Sequence, residues 1–183
     1  MRLHTAKTAA YRDAWKKRGE VIGVMANIAR KVDRLEYVSA GAAATEDESF
    51  ADTVLDLFVY AVKYLTFLAD RDAAIAGRLY GDTSVLPPYS DGTAGFDGLV
   101  RQIDFSPHDS PVSTIPAAVQ AVTATFSELE QCFTFGRLAP IERRFRLGQH
   151  LVRDAVELLD VVNRDALAQL TLALRPYSSD KHP

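Results

Sequence analysis

Four residues that can carry polar chemistry, Glu48, Asp52, Asp56 and Tyr60, recur at intervals of four through a segment that is otherwise largely apolar. An α-helix brings positions four apart onto one stripe. The segment therefore predicts a helix on which a ladder of carboxylates borders a core-facing seam of Val54, Leu55, Phe58, Val62 and Leu65. Like charges at this spacing repel by about 0.2–0.5 kcal/mol per exposed pair. A cation, either a side chain or a metal ion, is expected to face them. The nearest basic side chains lie in the preceding run Arg30-Lys31-Val32-Asp33-Arg34-Leu35-Glu36.

The same helical period organises most of the chain. From Ala9 to Val38 it predicts one helix, with Val21, Ile22, Met25, Ile28, Ala29, Val32 and Leu35 as its apolar face and Gly19 and Gly23 weakening its first half. The small residues from Ser39 to Thr45 make a turn, and Thr45-Glu46-Asp47-Glu48 has the form of a capping box. The second helix runs through Ala69 and on, or after a restart, to Tyr80, where Gly81 is expected to end it in the left-handed conformation. Prolines 87, 88, 107 and 111 with glycines 92, 95 and 98 then predict an irregular crossover over 81–115, with one short helix near Phe96 to Ile103. That stretch is either a lid or binding loop, or a plain connector. Thr114 and Pro116 open a third long helix to Phe133, and Pro140 opens a last one that ends before Pro176. No strand alternation, glycine-rich phosphate loop or zinc-type Cys/His spacing occurs. The expected fold is all-α and four-helix-bundle-like, two helical hairpins joined by a long irregular crossover within a single domain over 1–183.

Composition narrows the function. The net charge of −3 argues against duplex nucleic acid as a partner, because phosphate neutralisation needs a basic field. The single cysteine, Cys132, lies among Phe126, Leu129 and Phe133 and is expected to be a buried thiol. The apolar run from Leu57 to Ala69 contains Lys63 and falls short of the ~20 residues of a membrane span. With no secretory signal pattern at the start, a cytoplasmic location is the expectation. His108 and His150 have no partner at metal-ligand spacing. Trp15 and Tyr60 suit the edge of a core, and the cluster from Arg143 to Arg146 suits a solvated face.

Three segments together carry a family resemblance: Tyr11-Arg12-Asp13-Ala14-Trp15, then Arg30-Lys31-Val32-Asp33-Arg34-Leu35, then Asp47-Glu48-Ser49-Phe50-Ala51-Asp52-Thr53-Val54-Leu55-Asp56-Leu57 with Tyr60-Ala61. Over roughly residues 8–69 the chain resembles the nucleotide modification associated domain family, type one, of phages and bacteria. That family is distantly similar to the MazG-like all-alpha nucleoside triphosphate pyrophosphohydrolases. The resemblance implies a Mg²⁺-dependent protein of nucleotide metabolism, in a phage or defence setting, acting on a canonical or modified nucleoside triphosphate. It implies Glu48, Asp52 and Asp56 as metal ligands, with Asp33 or Glu36 completing the set where the pyrophosphohydrolases carry Glu-x-x-Glu. Asp52 and Asp56 would be catalytic, and Lys31, Arg34 and Tyr60 would bind the nucleotide. Hard oxygen ligands suit Mg²⁺, which neutralises phosphates and acidifies an attacking water.

Two other outcomes stay open. The chain can be a non-catalytic helical module that binds a nucleotide or a protein partner, or the opposed charges can form an inter-helix salt-bridge network that only fixes the register of the hairpin. A homodimer is also expected, from the related enzymes and from an apolar flank (Leu57, Tyr64, Phe67) that a single hairpin leaves in need of cover.

Overall fold

The computed structural model describes residues 14–41, 49–105, 114–134 and 138–162, and all regular structure among them is helical. Helix α1 spans Ala26–Ser39 and is preceded by a π-wound stretch, Glu20–Met25, with which it is continuous. The others are α2 (Phe50–Ala69), α3 (Ala73–Tyr80), α4 (Ala94–Val100), α5 (Ile115–Gln131) and α6 (Ile141–Val162). The long helices form the expected bundle: α1 borders α2 and α5, and α6 borders the same two from the other side. Val24 of the π-wound stretch and Ile28, Val32 and Leu35 of α1 meet Val54, Leu57, Phe58, Ala61 and Leu65 of α2, Val122, Phe126 and Leu129 of α5, and Leu151, Leu158 and Leu159 of α6 in one continuous core. Each Val, Leu, Ile or Phe among them contributes about 1.5–3 kcal/mol through its removal from water.

Several boundaries differ from the expectation. No single straight helix runs up to Val38, because residues 14–18 form turns and Gly19, at φ +80°, breaks the path before the π-wound stretch. A Cβ at Gly23 would lie 2.8 Å from the carbonyl oxygen of Trp15, so glycine is what lets the 15–16 backbone lie across the start of the helix. Asn27 Nδ2 then donates to the Gly23 carbonyl at 2.7 Å. The capping box of α2 is Ser49-Phe50-Ala51-Asp52, where Ser49 Oγ accepts from Asp52 N and Asp52 Oδ2 accepts from Ser49 N at 3.2 Å, while the expected box at Thr45 lies outside the described residues. Gly81 closes α3 in the right-handed region, at φ −55°, rather than the left-handed one. Thr114 caps α5 with proline in its first turn, as the sequence predicts. The expected end of the last helix near Pro176 falls outside the described residues.

Burial of Leu57, Tyr64 and Phe67 within the one chain removes the reason for expecting a partner surface there. Tyr64 is held by charge as well. Its hydroxyl donates to Glu20 Oε1 at 2.7 Å, and the same oxygen accepts from Arg144 Nη1 of α6. Arg144, only 5% exposed, also donates from Nε to the Ala139 carbonyl at 3.1 Å, so it belongs to the interior and not to a solvated face; Arg143 and Arg146 do face outward. Burial, and then the Glu20 carboxylate, hold the Tyr64 hydroxyl well above the ordinary tyrosine range, which keeps it a donor.

The described part of the crossover packs as a wall. Asp70, at the end of α2, accepts from Tyr89 N at 2.6 Å, from Ser90 N at 3.1 Å and from the Ser90 hydroxyl. Tyr89 stacks on Tyr80 at 4.2 Å, Tyr80 Oη donates to the Gly95 carbonyl at 3.0 Å, and Phe105 meets Phe58 edge-on at 5.7 Å.

Removing one member of a buried ion pair strands the other charge, at a typical cost of about 3–5 kcal/mol. Arg144→Met should therefore lower the urea unfolding free energy by about that much, and adding Glu20→Gln should restore a large part of it. A loss below about 1 kcal/mol for Arg144→Met alone would show that the pair supports little. A second expectation concerns Asp97 of α4, a half-buried carboxyl whose Oδ1 makes no hydrogen bond. Burial raises its pKa, against the opposing influence of Thr93 and Arg101. The native state thus binds this proton more readily than the unfolded chain, so the ionised group opposes folding at neutral pH and the penalty is relieved as pH falls through the raised pKa. Asp97→Asn should raise the melting temperature at pH 7, with the gain shrinking on acidification.

Candidate functional site

From Asp52 onward, the positions of α2 that remain accessible before its buried end are Asp52, Leu55, Asp56, Val59, Tyr60 and Lys63. Their spacing of three and four places them on a single stripe, and every Asp and Lys side chain of the helix lies on it. Its centre is an ion pair with α1. Lys31 Nζ lies 2.9 Å from Asp56 Oδ2, with the two side chains 15% and 19% exposed. An ammonium thus faces the ladder, as like-charge repulsion requires.

The remaining predicted residues divide around this pair. Asp52 is exposed at the first turn of α2, where its Oδ2 also accepts from Ser49 Oγ at 2.8 Å; this carboxylate serves the helix start. Asp33 and Glu36 are exposed on α1, and Arg34 is half-buried there. Tyr60 is half-buried one turn beyond Asp56. Glu48 lies outside the described residues, as does His108, while His150 is exposed on α6. Among the described residues no three His, Cys, Asp or Glu side chains converge as a metal site would need. Asp52 and Asp56 offer the hard oxygens that Mg²⁺ favours, yet each already accepts from a partner, so the described donors do not by themselves fit that ion.

Sequence reasoning passed over the surroundings of the pair. Asn27, one turn before Lys31 on α1, accepts from Arg30 Nη2 while its own amide holds Gly23, so the first helix carries an ordered polar row beside the seam. The spacing of Asn27, Lys31 and Arg34 was a legible signal for it. Trp15 is buried edge-on against Phe67 at 6.4 Å, yet its ring also meets Lys63 Nζ at 5.3 Å; no periodicity announces that contact, because it depends on the turn at Gly19. Cys132 is buried as expected, donating to the Glu128 carbonyl at 3.5 Å, and burial raises the pKa of its thiol. Such a thiol is a poor nucleophile.

No family model, no characterised protein and no solved structure matches this chain. No helix among the described residues is long and apolar enough to cross a membrane.

Since both members of the central pair are largely shielded from water, each should depend on the other. In a double-mutant cycle of Lys31→Met and Asp56→Asn, read by urea unfolding, a coupling of about 1 kcal/mol or more is expected. Additive losses would mean that the two charges are screened from one another in solution.

Proposed function

We propose that this chain is a nucleotide-handling helical bundle of the nucleoside triphosphate pyrophosphohydrolase-like kind, with its phosphate-binding centre at the seam of α1 and α2. The observation that carries the reading is the shielded contact of Lys31 with Asp56, at 2.9 Å, on the one accessible stripe of α2. A cation of α1 and a carboxylate of α2 held together there form a shielded polar centre at the seam. An incoming phosphate can draw Lys31 away from Asp56, because an ammonium bonds either oxyanion, and Arg34, three residues on, offers a guanidinium whose fork suits phosphate oxygens. Asp56, released from its ion pair, then becomes an acceptor for a donor on the substrate or for a water. The all-helical architecture agrees with what the family resemblance implies. A homodimer belongs to this reading through that resemblance alone.

A second reading, a non-catalytic module for a nucleotide or a protein partner, is favoured by the internal engagement of Asp52 in the cap and Asp56 in the ion pair. Incubation with a panel of nucleoside triphosphates and Mg²⁺, with calorimetric binding in parallel, separates the two. The enzyme reading expects pyrophosphate release that disappears in Asp56→Asn while the fold persists. Binding without release would establish the module instead. If no triphosphate binds, the nucleotide reading is overturned and a protein partner is left.

A further inference from the structure

Gly19 stands at φ +80°, and a Cβ there would meet nothing within 4 Å, so the chain has a hinge in open space between residues 14–18 and the π-wound stretch. Two contacts hold 14–18 down. Trp15, 8% exposed, packs edge-on against Phe67 at 6.4 Å. Lys16 Nζ donates to Ser90 Oγ at 2.6 Å and pairs with the Asp91 carboxylate in the crossover. Ser90 in turn donates its hydroxyl to Asp70 at the end of α2, which also accepts from the Tyr89 and Ser90 amides. One ammonium is thus joined through a hydroxyl to a carboxylate of α2, and directly to a carboxylate of the crossover. Taking it away sets Asp70 and Asp91 as like charges beside Ser90, and the hydroxyl loses the cation that polarises it.

We infer that residues 14–18 and 89–91 form one strap across the end of α2, which opens and closes about Gly19 as a unit while the bundle stays folded, with Lys16 as its pin. The bundle can spare the strap. Phe67 keeps Arg71 over its ring at 3.3 Å and Tyr64 beside it at 6.5 Å, and the link between Glu20, Tyr64 and Arg144 lies on the bundle side of the hinge. Opening draws the Trp15 ring away from Lys63, 5.3 Å off when closed, so the strap governs the surroundings of the last charge on the accessible stripe of α2. The inference stands apart from the nucleotide reading, since it concerns how this end of the molecule is closed and not what the seam binds. Its hold is electrostatic and the Asp91 side chain is 50% exposed, so ionic strength is what shifts the strap.

Native-state hydrogen exchange on the full chain, read at single amides, tests this together with acrylamide quenching of Trp15, the only tryptophan. The Tyr89 and Ser90 amides should exchange through an opening that leaves the amides of residues 57–65 of α2 protected. Lys16→Met should speed both by about tenfold or more, as expected for loss of a charge-assisted hydrogen bond, and should raise Trp15 quenching in step; Lys16→Arg should keep both near the original level. High salt should speed the two amides about twofold or more in the unaltered chain and leave Lys16→Met unmoved. Faster exchange at Tyr89 and Ser90 with Trp15 still shielded would show two independent segments and overturn the strap. Equal acceleration of residues 57–65 would make the opening a loss of the whole bundle, which also overturns it. Unchanged exchange in Lys16→Met overturns Lys16 as the pin, and indifference of the unaltered chain to salt overturns ionic strength as what shifts it.

Discussion

The carboxylate of Glu20 is the point on which three parts of the molecule converge. It belongs to the π-wound stretch before α1, accepts from the Tyr64 hydroxyl of α2 and pairs with Arg144 at the start of α6. An isolated charge in that position would be too costly to keep; with a guanidinium and a phenol beside it, the burial becomes tolerable and directional at once. Apolar packing alone would let these helices slide, since hydrophobic contact has no preferred partner. The charged link fixes which turn of α2 meets which turn of α6, and so fixes the tilt of the face on which Lys31 and Asp56 meet.

Within that frame the molecule keeps its apolar and polar tasks on separate sides of α2. Val54, Leu57, Phe58, Ala61, Val62, Tyr64 and Leu65 go into the core, and Asp52, Asp56, Tyr60 and Lys63 stay on the accessible stripe. The helix is long enough to seat a whole row of differing chemistries in fixed order: a cap, an ion pair, a ring and an ammonium. Rigidity comes from the buried side, which holds the order along the stripe.

How much of this the amino acids announced depended on the range over which each signal acts. The four long helices and their pairing were legible because apolar residues at three- and four-residue intervals must share a face, and Thr114 with Pro116 marked the start of α5. The ladder of Asp52 and Asp56 was legible for the same reason, as was its need for a cation. What escaped was set by tertiary contact. Ser49 caps α2 because its hydroxyl and the Asp52 carboxylate satisfy the first turn together. Arg144 looked like a member of a surface cluster with Arg143 and Arg146, and only the approach of Glu20 from the far end of the sequence makes it an interior residue. The turn at Gly19 likewise put Trp15 beside Lys63, a meeting that no local pattern encodes.

The fold-back at Gly23 makes the segment 14–18 a clasp. Trp15 touches α2, and Lys16 reaches across to Ser90 and Asp91 in the crossover, whose own backbone is tied to Asp70. None of the four long helices draws a residue from this clasp. Exchange of this segment would therefore remove the Trp15 ring from the core and the Lys16 tether from the crossover in one step. The segment thus ties the aromatic end of the stripe and the crossover to the core in a single stretch of chain, through one buried ring and one ammonium.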